Sequence, residues 1–146
     1  MILGTLGSFL AALGFGVMFN IKGKKLIIAA IAGSIGYLVH QLLCTVGIDD
    51  NIALFLAAVA FTLYAEIYAR IMKTPVTLFV VCALIVLVPG GSMYYTMLYI
   101  LQGNTSLAVE TGLGVLANAG SLSLGMILIN AISNKLTAIY LSKTKS

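Results

Sequence analysis

The sequence predicts an all-α integral membrane protein, a single transmembrane domain over residues 1–146, and three observations carry that prediction. The chain is 61% hydrophobic and only 8% charged, whereas soluble domains carry about 25% charged residues. Its mean hydropathy is +1.12. Five apolar stretches reach the roughly 20 residues that a helix needs to cross the hydrocarbon core. They fall at 2–20, 26–46, 52–72, 76–102 and 107–134. Each is apolar all round, unlike the short alternating segments of a membrane barrel.

The first stretch begins at Met1 without a basic leader, so it reads as a retained helix rather than a cleaved signal. The connecting segments then fix an orientation. Lys22, Lys24 and Lys25 separate the first and second spans, Arg70 and Lys73 close the third, and Lys135, Lys143 and Lys145 follow the fifth. Asp49, Asp50, the segment 103–106 and Glu110 alternate with them on the other side. All eight basic residues thus map to one face, which the positive-inside rule makes cytoplasmic. The expected topology is five transmembrane helices, N-terminus out and C-terminus in, multi-pass in the cytoplasmic membrane. A net charge of +4 spread between apolar runs makes no phosphate-tracking patch, so nucleic acid is not an expected partner.

Little in the chain serves soluble catalysis. One histidine and four acids leave few groups for a hydrolytic site, so no enzyme activity, metal or cofactor is expected. Cys44 and Cys82 are too few and too separated for a disulfide or zinc framework, and read as small packing residues. Small residues recur at helical spacing instead: Gly4, Gly7, Ala11 and Gly14 in the first span, Ala29, Gly33 and Gly36 in the second, Gly114, Ala117, Ser121 and Gly125 in the fifth. Such stripes let backbones approach closely in lipid.

Polar residues inside spans are costly and face a bundle interior or a cavity. His40 lies on or beside the small-residue face of the second span. It reads either as bonded to a neighbouring helix or as a substrate- or proton-handling group. Glu66 and Arg70 stand four apart in the order that favours an intrahelical ion pair, which makes a structural role the first reading. Asn118 and Ser121, one turn apart in the fifth span, suit a ligand or another helix. Asn20, at the end of the first span, fits a C-terminal helix cap.

The fourth stretch raises a different question, because Pro89, Gly90 and Gly91 interrupt it beyond the midplane. At 1.5 Å per residue the whole stretch is about 40 Å long, more than one straight span requires. Two half-helices, 76–88 and 90–102, account for the length. The second would open on the amides of Gly90, Gly91, Ser92 and Met93, the positive end of a helix dipole. Broken helices of this kind hold substrate carboxylates in secondary transporters, and an ordinary proline kink is the competing reading.

The stretch LVPGGSMYYTM, with Thr74–Pro75 before it and GFGVMFN (14–20) and AGSIGY (32–37) upstream, resembles the threonine/serine exporter family, specifically its small membrane half. The resemblance covers nearly the whole chain. It implies a larger membrane half as partner, and places Asn20, Gly33, Gly36, Pro89, Gly90 and Tyr94 at motif positions. Gly91 departs from it, standing where a bulkier apolar residue is usual. The function implied is outward movement of threonine, serine or a similar small carboxylate metabolite. Coupling to protons would fall to His40 or Glu66. A non-transporting subunit that stabilises or regulates a partner and a small homo-oligomeric channel are the alternatives, although no span carries the continuous polar stripe of a channel.

Overall fold

The computed structural model describes the backbone of residues 2–144 and the side chains of residues 2–135. Lys145 and the side chain of Lys143 lie outside the described residues. The described chain is entirely helical outside its turns, with six helices and no strand: α1 (Ile2–Met18), α2 (Lys24–Thr45), α3 (Asp50–Ile71), α4 (Thr77–Leu87), α5 (Gly90–Leu101) and α6 (Thr105–Thr144). α2, α3 and the Thr105–Lys135 part of α6 are each long and apolar enough to cross a membrane, and α4 with α5 meets the same test as a pair bent by 52°. α1 is an apolar helix of 17 residues, about 26 Å long and a little short of a typical core.

The turns after α1, α2, α3 and α5 are built by one device. At the end of α1 the amide of Asn20 donates to Val17 O and that of Ile21 to Gly16 O, the paired bonds of a Schellman motif around a left-handed residue. Gly47, Lys73 and Gly103 repeat the pattern after α2, α3 and α5. Asn20 has φ 58°, so the cap read from the sequence is the cap that forms. α3 opens on Asp49, whose Oδ1 accepts from Asn51 N at 2.9 Å, an N-cap that also favours the dipole.

Packing is organised around α2, which touches α1, α3 and α4. Ala29, Ala30, Ala32, Gly33 and Gly36 are buried along it. A Cβ on Gly33 would stand 2.7 Å from Ala12 Cβ, and one on Gly36 would stand 2.8 Å from Leu87 Cδ1. These two glycines are therefore points of closest approach between helices. The partner stripe on α1 differs from the expected one: Ser8, Ala12 and Gly16 are buried, Gly4 faces Tyr37, and Gly7 and Gly14 meet no neighbour within 4 Å. Two small-residue stripes share Gly4, and the position of Gly33 selects the one with strict four-residue spacing.

Ile21, Ala29, Ala69 and Phe79 share a hydrophobic cluster with Leu26, Met72 and Val76 around it. The α1–α2 and α3–α4 turns therefore lie at one end of the bundle, with Lys22, Lys24, Lys25, Arg70 and Lys73. Arg70 also reaches Ser133, which brings Lys135 to that end. Asp49 and Asp50 occupy the opposite end. α6 packs on α3 and α5. A Cβ on Gly125 would meet Phe55 O and Ala58 Cβ, and one on Gly112 would meet Thr96.

Candidate functional site

The interruption of the fourth stretch is real and tightly built. Pro89 has φ −74° and ψ 58°, and the amide of Gly90 donates to Val88 O at 2.7 Å. That is an inverse γ-turn centred on proline. Pro89 O then accepts the first bond of α5, from Met93 N at 3.0 Å. Of the four amides expected to be free, Gly90 is spent in the turn and Met93 in the helix. Gly91 and Ser92 keep theirs, because proline offers no capping side chain and α5 has no side-chain cap. The break thus displays two unspent N–H groups at the positive end of a helix.

A cavity of about 170 Å³ lies beside the break, lined by Leu84, Val88, Pro89 and Met93 and, from α6, by Ala119, Leu122, Ser123 and Met126. Its walls are apolar, and the Ser123 hydroxyl is turned inward to Ala119 O at 2.8 Å. Asn118 and Ser121 are half-buried on α6 and do not line it. Gly90, Gly91, Ser92 and Tyr94 are exposed, no residue of α5 is buried, and a Cβ on either glycine would meet nothing within 4 Å. Tyr94 sits edge-on to Tyr95, with ring centroids 5.5 Å apart. Of the candidates at the break only Pro89 lines the cavity; Gly90, Gly91, Ser92 and Tyr94 lie on the open face of α5.

A second polar constellation joins α3 to α6. Ser133 Oγ donates to Glu66 Oε2 at 2.6 Å and accepts from Arg70 Nη2 at 2.6 Å. Arg70 Nη2 also donates to Ser133 O at 3.1 Å, and Arg70 Nε stands 3.7 Å from Glu66 Oε2. Glu66 is mostly buried while half of Arg70 remains exposed, so the guanidinium reaches outward from a carboxylate held inside. Leu63, Ile67, Ile129 and Ile132 complete a cavity of about 230 Å³ around them. Ser133 was not among the sequence candidates. Its signal was depth: Gly125 lies against Phe55 and Ala58, and one further step of eight residues along parallel helices pairs Ser133 with Glu66.

His40 lies at the other end of the bundle, with Nε2 2.8 Å from Asp50 Oδ1 at the start of α3. It bonds to a neighbouring helix, the first of its two expected roles. It does not line the cavity at the break. Thr62 is wholly buried on α3, and its Oγ1 has no partner among the described residues.

Several long apolar helices, buried alanine and glycine contacts between them, and a bent helix pair with unspent amides define a multi-pass membrane protein built around an interrupted helix. Comparison with known families identifies the kind. Residues 4–132 match the family described as "Threonine/Serine exporter, ThrE", and the chain belongs to that family. No solved structure matches it.

Proposed function

We propose that this chain is the small membrane half of a secondary exporter, working with a larger half to move threonine, serine or a similar small carboxylate out of the cell. The observation that carries the proposal is the Pro89 break, which leaves the Gly91 and Ser92 amides unspent at a helix N-terminus. Free amides there suit an α-carboxylate, which accepts two hydrogen bonds and is favoured by the dipole. Family membership supports a transporter rather than an enzyme.

The open side of α5 supports a partnership. Amides that bind a substrate in lipid need a sheltered cavity, and the exposure of Gly90 to Ser92 fits a site completed by a second chain. The outward stripe of Gly7, Ala11 and Gly14 on α1 offers another close-packing face. Five passes, with the lysine-rich end in the cytoplasm, follow from counting α1 as a span and α4–α5 as one broken span. Contacts support that pairing: Pro89 and Met93 lie beside Leu122, and Thr96 beside Gly112, so α5 runs on away from the basic end. The location that follows is the cytoplasmic membrane.

The test is efflux in cells that lack other amino-acid exporters. Fed threonine-containing dipeptides, cells without the gene accumulate internal threonine, and cells with both halves restored release it. Equal internal pools in the two strains would refute amino-acid export.

A further inference from the structure

We infer that His40, Cys44 and Asp50 form a binding site for a thiophilic divalent transition ion, with Zn²⁺ the best fit. The three residues converge where α2 ends and α3 begins. His40 and Cys44 stand four apart on one helical face, and the Schellman turn at Gly47 folds Asp50 back over them. One donor atom from each lies within 4.8 Å of the others.

The spacing is that of a coordination face. Zinc bonds of about 2.3 Å to sulfur, about 2.0–2.1 Å to imidazole and about 2.0 Å to carboxylate, at tetrahedral angles, separate the donors by about 3.5 Å (S···N), 3.5 Å (S···O) and 3.3 Å (N···O). The observed separations are 3.6 Å for Cys44 Sγ to His40 Nε2, 3.9 Å for Sγ to Asp50 Oδ1 and 2.8 Å for Nε2 to Oδ1. Two agree within a few tenths of an ångström. The third is a hydrogen bond that opens by about half an ångström when the ion replaces the shared proton.

Charge and donor type point the same way. Asp49 and Asp50 place two carboxylates at this end of the bundle. Lys25 is about 22 Å down α2 from His40, and Arg70 about 30 Å along α3 from Asp50, at 1.5 Å per residue. Neither cation reaches the cluster. A sulfur, nitrogen and oxygen set suits zinc better than magnesium or calcium, which take oxygen ligands. Three protein donors leave a fourth position for water or another ligand. Asp50 is half-exposed, so the position is reachable from solvent. Binding is an exchange: the Cys44 proton passes to buffer and the thiolate takes the ion, while the Nε2 proton shared with Asp50 moves through solvent to Nδ1 of the neutral ring and frees the Nε2 lone pair for the ion.

This inference is independent of the exporter reading and is tested on the purified full-length chain in detergent. Co²⁺ serves as the probe, because a thiolate ligand gives a sulfur-to-cobalt charge-transfer band. The expected result is that band at one equivalent of Co²⁺, retained in Cys82→Ser, lost in Cys44→Ser and His40→Ala, and bleached by added Zn²⁺. A chain that gives no band, or one whose band survives Cys44→Ser, overturns the inference. Alkylation supplies a readout that depends on no ligand variant. In the Cys82→Ser chain, Zn²⁺ should protect Cys44 from a maleimide, and unchanged labelling with saturating Zn²⁺ overturns the inference equally.

Discussion

Gly91→Leu separates a carboxylate site from a simple kink, and the structure makes the separation cleaner than the sequence did. Gly91 has ordinary helical backbone, and a Cβ there meets nothing within 4 Å among the described residues beyond its own stretch of helix. Leucine is also a better helix former than glycine, by about 0.8 kcal/mol. The substitution therefore leaves the fold of this half intact or slightly firmer. Its effect on substrate is the opposite. Each amide bonded to a carboxylate contributes about 1.5–3 kcal/mol, so a side chain that keeps substrate from both Gly91 and Ser92 removes about 3 kcal/mol or more. That weakens binding roughly 100-fold.

The assay is threonine efflux from preloaded cells, with membrane abundance and co-purification of the proposed larger half measured on the same samples. The expected outcome is normal abundance, normal co-purification and export near background. Leucine that exports at the normal rate would refute the carboxylate site. Loss of co-purification together with export would instead show that Gly91 belongs to the surface between the two halves.

Four further outcomes follow from named contacts. Pro89→Ala removes the constraint behind the inverse γ-turn, worth about 3 kcal/mol in helix propensity. It should join α4 to α5 and abolish efflux at unchanged abundance, and normal efflux would leave the break without a transport role. Ser133→Ala takes away both the donor to Glu66 and the acceptor for Arg70. It should lower stability of the α3–α6 pair by about 1–2 kcal/mol in detergent unfolding, with Ser133→Thr close to wild type. Gly33→Leu forces a Cβ to within 2.7 Å of Ala12 and should cut membrane abundance, whereas Gly7→Leu, facing open space, should not. Single cysteines at Asn104 and Lys24 in a cysteine-free chain test orientation: position 104 should label in intact cells, position 24 only after permeabilisation.

The features legible in the sequence were those fixed locally. Apolar length gave the long helices within a few residues, and Pro89 marked the break because no helix tolerates its missing amide without a rearrangement nearby. Asn20 was readable as a cap for the same reason, since a left-handed residue favours Gly or Asn. Choices between equivalent faces were not readable. On α1 the stripes beginning Gly4–Gly7 and Gly4–Ser8 are both smooth, and only contact with Gly33 on α2 decides between them. The extent of the last helix was hidden too, for nothing after Ile132 breaks a helix, and α6 continues to Thr144.

The polar sites show the same division with a sharper consequence. Glu66 and Arg70 were paired by their spacing, but the residue that gives the pair its geometry, Ser133, is 67 positions from Glu66. His40 is legible as a costly residue, and two cysteines alone make no framework. The turn at Gly47 supplies the missing ligand from the next helix, so the pattern to read was His-x-x-x-Cys followed closely by a capped turn and an acid. At the break, the sequence promised four free amides and the fold leaves two, since a proline strong enough to interrupt the helix also closes the γ-turn that consumes the first. Two amides match the two oxygens of one carboxylate. A helix start with four free amides would also suit a phosphate, so the γ-turn is what makes a carboxylate the better match in the proposed site.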